Sequence, residues 1–132
     1  MSFTSGRISL AKKLGIKPGI KLVLLDPPGG FLEKLGELPK DITVFDQVSD
    51  QSDLAVLFVE KRENLESRVK TVANKLQYRG RLWIAWKKGA SRSASDVTEK
   101  AVREVALGLG LVDYKVCSID EAWSALLFSR RK

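Results

Sequence analysis

Three short stretches of this chain carry residue types that could bind or react. Asp26-Pro27-Pro28-Gly29-Gly30 joins a carboxylate to two glycines that would let a ligand approach the backbone. Asp46 follows a short apolar run, where a carboxylate could accept hydrogen bonds from sugar hydroxyls. The stretch Lys87-Lys-Gly-Ala-Ser-Arg-Ser-Ala-Ser95 sets Lys87, Lys88 and Arg92 among small hydroxyl residues, which suits a phosphate or carboxylate. Each stretch also has an ordinary reading: a rigid turn, an Asp that forms a turn, and a solvated basic loop.

Other chemistry is excluded by composition. There is no histidine, so Ser-His and Cys-His pairs and His-based zinc sites are absent. Cys117 is the one cysteine, so no internal disulfide can form, and a structural zinc site is all but excluded. No acid–base constellation marks a catalytic residue. No apolar run approaches the ~20 residues of a bilayer span, and the N-terminus lacks the apolar core of a signal peptide. A cytoplasmic protein with no membrane partner is the expectation.

The net charge of +7 is uneven. Residues 1–66 carry nine basic and ten acidic side chains, and residues 67–132 carry fourteen and six. The basic second half favours an anionic partner: a small anion, a nucleotide, nucleic acid or an acidic protein.

The elements that must position these residues read as alternating strands and helices in one domain over 1–132. Spacing predicts a short helix over 9–14, closed by Gly15. Strands are expected at 20–25, 42–45, 54–59 and from Gly80 to about residue 87, the last nearly all apolar and so central. Helices are expected at 31–38, from a cap at Asn64 to about Gln77, and from a cap at Ser95 or Asp96 to about Leu109. Residues 110–118 and 123–130 are joined too tightly to be parallel and should form a hairpin. The fold class is therefore α/β: a three-layer, Rossmann-like, mostly parallel sheet with a C-terminal antiparallel hairpin. In such sheets ligands bind beyond the carboxyl ends of the strands, and all three chemistry-bearing stretches fall there. Trp83, Trp86 and Trp123 read as core or groove walls rather than stacking platforms, and Cys117 as an inert buried thiol.

Two resemblances cover most of the chain. The stretches Leu10-Ala-Lys-Lys-Leu-Gly-Ile-Lys-Pro-Gly19, Leu82-Trp-Ile-Ala-Trp-Lys-Lys88, Gly110-Leu-Val-Asp-Tyr-Lys-Val-Cys117 and Asp120-Glu-Ala-Trp-Ser-Ala-Leu126 resemble a bacterial family known only as a domain of unknown function. Members usually show Trp-Pro-Lys where this chain has Trp86-Lys87-Lys88. The order of elements is similar to a shortened class I S-adenosylmethionine-dependent methyltransferase. That likeness places Asp26, Gly29 and Gly30 where the cofactor loop of such enzymes lies, and Asp46 where their ribose-binding acid lies. S-adenosylmethionine is the cofactor it implies. The chain departs from the pattern in two ways. Prolines replace the Gly-x-Gly signature, and one helix–strand unit is missing between Asp46 and Leu54, a unit that helps form the adenine pocket.

Two functions stay open on this reading. One is a methyltransferase-like domain holding a nucleotide-type or other anionic small ligand at the strand ends. The other is a non-catalytic interaction protein whose basic C-terminal half meets an acidic protein or nucleic acid.

Overall fold

The computed structural model describes residues 9–90 and 95–130. In chain order the elements are α1 (Leu10–Lys13), β1 (Lys21–Leu25), α2 (Phe31–Leu35), β2 (Thr43–Phe45), β3 (Leu54–Phe58), α3 (Arg62–Lys75), β4 (Arg81–Lys87), α4 (Glu99–Gly108), β5 (Leu111–Ser118) and β6 (Trp123–Arg130). Every expected element forms. The strands make one sheet in the order β2-β1-β3-β4-β6-β5.

The sheet is mixed rather than mostly parallel. β1 pairs parallel with β2 and β3, and β3 with β4, whereas β6 runs antiparallel to both β4 and β5. The cause is the four-residue corner after Ser118, too short for a crossover, which turns the last strand back between β4 and β5.

Alternation along the buried strands feeds two cores and makes three layers. Val23, Leu57, Ile84 and Phe128 face α3 and α4 on one side. Leu22, Val56, Trp83 and Leu127 face α1 and α2 on the other. Trp83, Trp86 and Trp123 are all core residues, and Phe31, Phe58 and Trp123 meet edge-to-face. No helix among the described residues is long and apolar enough to cross a membrane.

Helix boundaries differ from the expectation where long-range partners replace local caps. α3 begins at Arg62, so Asn64 lies inside it. The Arg62 N–H donates to the Asp96 carboxylate at 2.6 Å, which leaves no capping task for Asn64. α4 is capped by Thr98, whose hydroxyl accepts from the Ala101 N–H at 3.1 Å. Ser95 instead donates to the Glu60 carbonyl. α2 stops after five residues, because Gly36 enters a positive φ that a continuing helix cannot use. Gly80 is required between α3 and β4: a Cβ there would meet Leu76 Cγ at 2.6 Å.

Two aspartates tie the layers together. Asp53 accepts from the Lys21 N–H and from Gln77 Nε2, joining β1, β3 and the end of α3. Asp120 closes the β5–β6 corner, accepting from the N–H groups of Ala122 and Trp123 and from Lys34 Nζ at 2.5 Å. Burial alone would raise the Asp120 carboxyl, but these donors outweigh it and hold it below the usual carboxylate range. A depressed native pKa contributes stability above the unfolded value, and that stability is lost as pH falls through the native value. Asp120→Asn is therefore expected to lower stability at neutral pH and to flatten the acid limb of the stability curve between about pH 5 and pH 2. Urea midpoints measured across that range check it; a parallel, unflattened curve would refute it.

Candidate ligand-binding site

The site begins as a mismatch in strand length. β1 runs to Leu25, but its pairing with β2 ends at Val23↔Phe45. Leu24 and Leu25 therefore have no neighbour on the β2 side, and Asp46 turns away at the mouth of the resulting notch. β2 is itself the edge of the sheet, with Val44 and Phe45 about two-fifths exposed.

Three clefts meet here. The first, of about 510 Å³, runs from Asp26 and Pro27 past Asp46 and Gln47 and down along α3. The second, of about 560 Å³, lies on the other face of β2, between Asp46, Phe45 and Val44 and the α2 residues Phe31 and Leu32. The third, of about 470 Å³, sits between Asp26 and the β3–α3 turn at Glu60 and Lys61. This last is the topological switch point: the chain after β1 goes to α2 on one face, and the chain after β3 goes to α3 on the other.

Asp26 stands at the junction of the first and third clefts. Its φ of 55° is left-handed, a conformation non-glycine residues seldom adopt outside turns and functional sites. Its carboxylate forms an ion pair with Arg68 of α3, so the wall between the two clefts is a salt bridge. Both partners are substantially exposed, and such a pair contributes little to stability and can open.

Asp46 is exposed and has neither a hydrogen-bond nor an ion-pair partner among the described residues. It is free to accept hydrogen bonds from a ligand. Gly30 has φ 81° and lines the second cleft, where a Cβ is missing from the approach to the backbone. Gly29 shapes the same turn but lines none of the three clefts. The Phe31 N–H is already given to the Pro28 carbonyl, and α2 is a short helix. The turn therefore acts through shape rather than as a row of anion-binding donors.

Lys87 and Lys88, the described cations of the basic loop, line none of the three clefts. Lys87 pairs with Glu60 at 2.8 Å and lies over the Trp123 ring at 5.6 Å. Lys88 Nζ donates to Ser118 Oγ at 2.6 Å. Arg92 lies outside the described residues. The loop's two described lysines thus serve the third cleft's rim and the hairpin. Cys117 is buried and free, and burial pushes its thiol up against the opposing pull of Lys13, Lys115 and Lys88.

Sequence reasoning missed the wall that α3 provides. Asn64, Arg68, Thr71 and Lys75 recur at steps of four, three and four, one stripe beside the apolar stripe that packs on the sheet. Asn64 and Arg68 line the third cleft; Arg68, Thr71 and Lys75 line the first. The signal was present: a polar stripe flanking an apolar one marks the helix face that borders the packed surface.

No protein-family model matches the chain, that of the bacterial family named from its motifs included, and no curated protein matches it. Solved structures do. A TehB-like SAM-dependent methyltransferase from Corynebacterium glutamicum is 17% identical, and the match covers 92% of this chain and 85% of that one at a TM-score of 0.57. A SAM-dependent methyltransferase from Aquifex aeolicus is 13% identical over 90% of this chain and 86% of that one, with a TM-score of 0.60. An O-methyltransferase family 2 protein from Planctomyces limnophilus, in complex with apigenin, is 12% identical, covering 86% and 50% at 0.61. At these identities the likeness shows the fold alone, which is methyltransferase-like α/β.

Proposed function

We propose that the notch at the ends of β1 and β2 binds an S-adenosylmethionine-type ligand. The observation that carries this reading is Asp46: a carboxylate without a protein partner, at the end of the strand next to β1, on the rim of two clefts. Its two oxygens are suited to the paired hydroxyls of a ribose. Asp26, Gly29 and Gly30 form the turn the ligand would cross, and Gly30 lets it approach closely. The missing unit leaves the base without its usual cover, and the apolar patch of Leu32, Val44 and Phe45 offers a surface in its place. Bound there, S-adenosylmethionine would supply a methyl group on a sulfonium, and the chain's own task would be to hold and orient it.

A thermal-shift experiment tests the reading. S-adenosylhomocysteine is expected to raise the melting temperature of the wild-type protein in a saturable way, because a ligand of the native state stabilises it. Asp46→Ala should leave the ligand-free melting temperature unchanged, since the side chain is exposed and makes no hydrogen bond or ion pair among the described residues. It should weaken binding roughly tenfold or more, as hydrogen bonds to charged groups are worth about 1.5–3 kcal/mol. Equal shifts in both proteins would remove Asp46 from the site. No shift in either would favour the interaction-protein reading.

A further inference from the structure

The α3 wall of the first cleft says what else the ligand carries. Arg68 and Lys75 are seven residues apart on one face of α3, about 10 Å along the axis, with Thr71 between them. Both side chains are long enough to converge over Thr71. They face the segment that carries Asp46, and the cleft separates the two walls. Lys75 and Asp46 both line it, yet they do not pair, and Lys75 has no hydrogen-bond or ion-pair partner among the described residues. Arg68 gives Nη2 to Asp26 and keeps further guanidinium donors. Thr71 is not a donor here, because its hydroxyl proton goes to the Ser67 carbonyl at 2.9 Å. Its oxygen can only accept. The wall therefore presents two cations and an acceptor, opposite a carboxylate suited to hydroxyl donors.

We propose that Arg68 and Lys75 form an anion subsite beside Asp46, so that the ligand is a ribosyl compound bearing a carboxylate or phosphate, not a bare nucleoside. The inference rests on the adenosyl reading above and adds a charge requirement to it. A carboxylate would come from the amino-acid arm of an S-adenosylmethionine-type ligand, a phosphate from a nucleotide. The overall charge of +7 would further favour the approach of the nucleotide, the one of the two that carries net negative charge.

The test is calorimetric titration with adenosine, S-adenosylhomocysteine and adenosine monophosphate. At least one of the two ligands that bear an anionic group is expected to bind roughly tenfold or more tighter than adenosine, the range set by charge-assisted hydrogen bonds. Preference for S-adenosylhomocysteine would identify the carboxylate as the anion; preference for the monophosphate would identify the phosphate. Lys75→Met should reduce that advantage and leave adenosine binding unchanged, and Lys75→Arg should restore it. Added salt should shrink the advantage in the wild type. Adenosine binding as tightly as both of the other ligands would overturn the subsite while leaving the Asp46 site standing. So would a Lys75→Met variant that weakens all three alike. Binding of none of the three would overturn both.

Discussion

Trp83→Ala is expected to cost about 3–5 kcal/mol, the range for removing a large aromatic from a core. Trp83 is fully buried on β4, between Val56 of β3 and Leu127 of β6, and belongs to the core beneath α1 and α2. Truncation opens a cavity under both helices. It also orphans the Leu14 carbonyl at the end of α1, which accepts from Trp83 Nε1 at 2.8 Å. Against a total stability of about 5–15 kcal/mol, such a loss takes much of the folding free energy. Urea unfolding followed by far-ultraviolet circular dichroism measures it. Trp83→Phe keeps most of the apolar volume and deletes the donor, so it should cost about 1–3 kcal/mol, the penalty of a buried unsatisfied acceptor. If Trp83→Ala cost under about 1 kcal/mol, the placement of Trp83 at the centre of the packing would be wrong.

The second large effect belongs to Arg130, the last described residue of β6. Its Nη2 donates to the carbonyl of Ala73, and to that of Leu76 at 2.6 Å. These lie in the last turn of α3, where carbonyls lack intrahelical partners and a cation is favoured by the helix dipole. The side chain is a C-cap delivered from more than fifty residues away in the chain. Arg130→Met keeps the aliphatic stem and removes the donors. It is expected to cost about 2–3 kcal/mol, two charge-assisted bonds less what water restores. Hydrogen exchange should then quicken selectively at the end of α3. A change within about 0.5 kcal/mol, with exchange unaltered, would show that the contact holds nothing.

These two residues mark the limit of what the sequence reveals. The strand over 20–25 and the strand containing Trp83 are legible because apolar runs bounded by Gly and Pro have few other uses. The hairpin is legible because four residues cannot carry a crossover. Asn64 as a cap was a sound local inference, overridden by Asp96, a donor's partner 34 residues away that no local pattern announces. Arg130 is of the same kind. The expectation of a mostly parallel sheet failed because β6 inserts between β4 and β5, a matter of strand order rather than of composition.

The candidate site was half legible. Asp26, Gly30 and Asp46 follow from the rule that ligands lie beyond strand ends, and the structure brings them to one notch. Arg68 and Lys75 drew no reading from the sequence, although their spacing was there to read. A sequence shows Lys87 and Lys88 without Glu60 and Ser118, partners that only the assembled sheet supplies.

The most direct test of the notch as an adenosyl site is calorimetric titration of the wild-type protein with S-adenosylmethionine and S-adenosylhomocysteine. Saturable heat at one ligand per chain, lost in Asp46→Ala, is the predicted result. Absence of saturable heat with either ligand at millimolar concentration would contradict it, and would leave a methyltransferase-like fold with no adenosyl pocket in the notch.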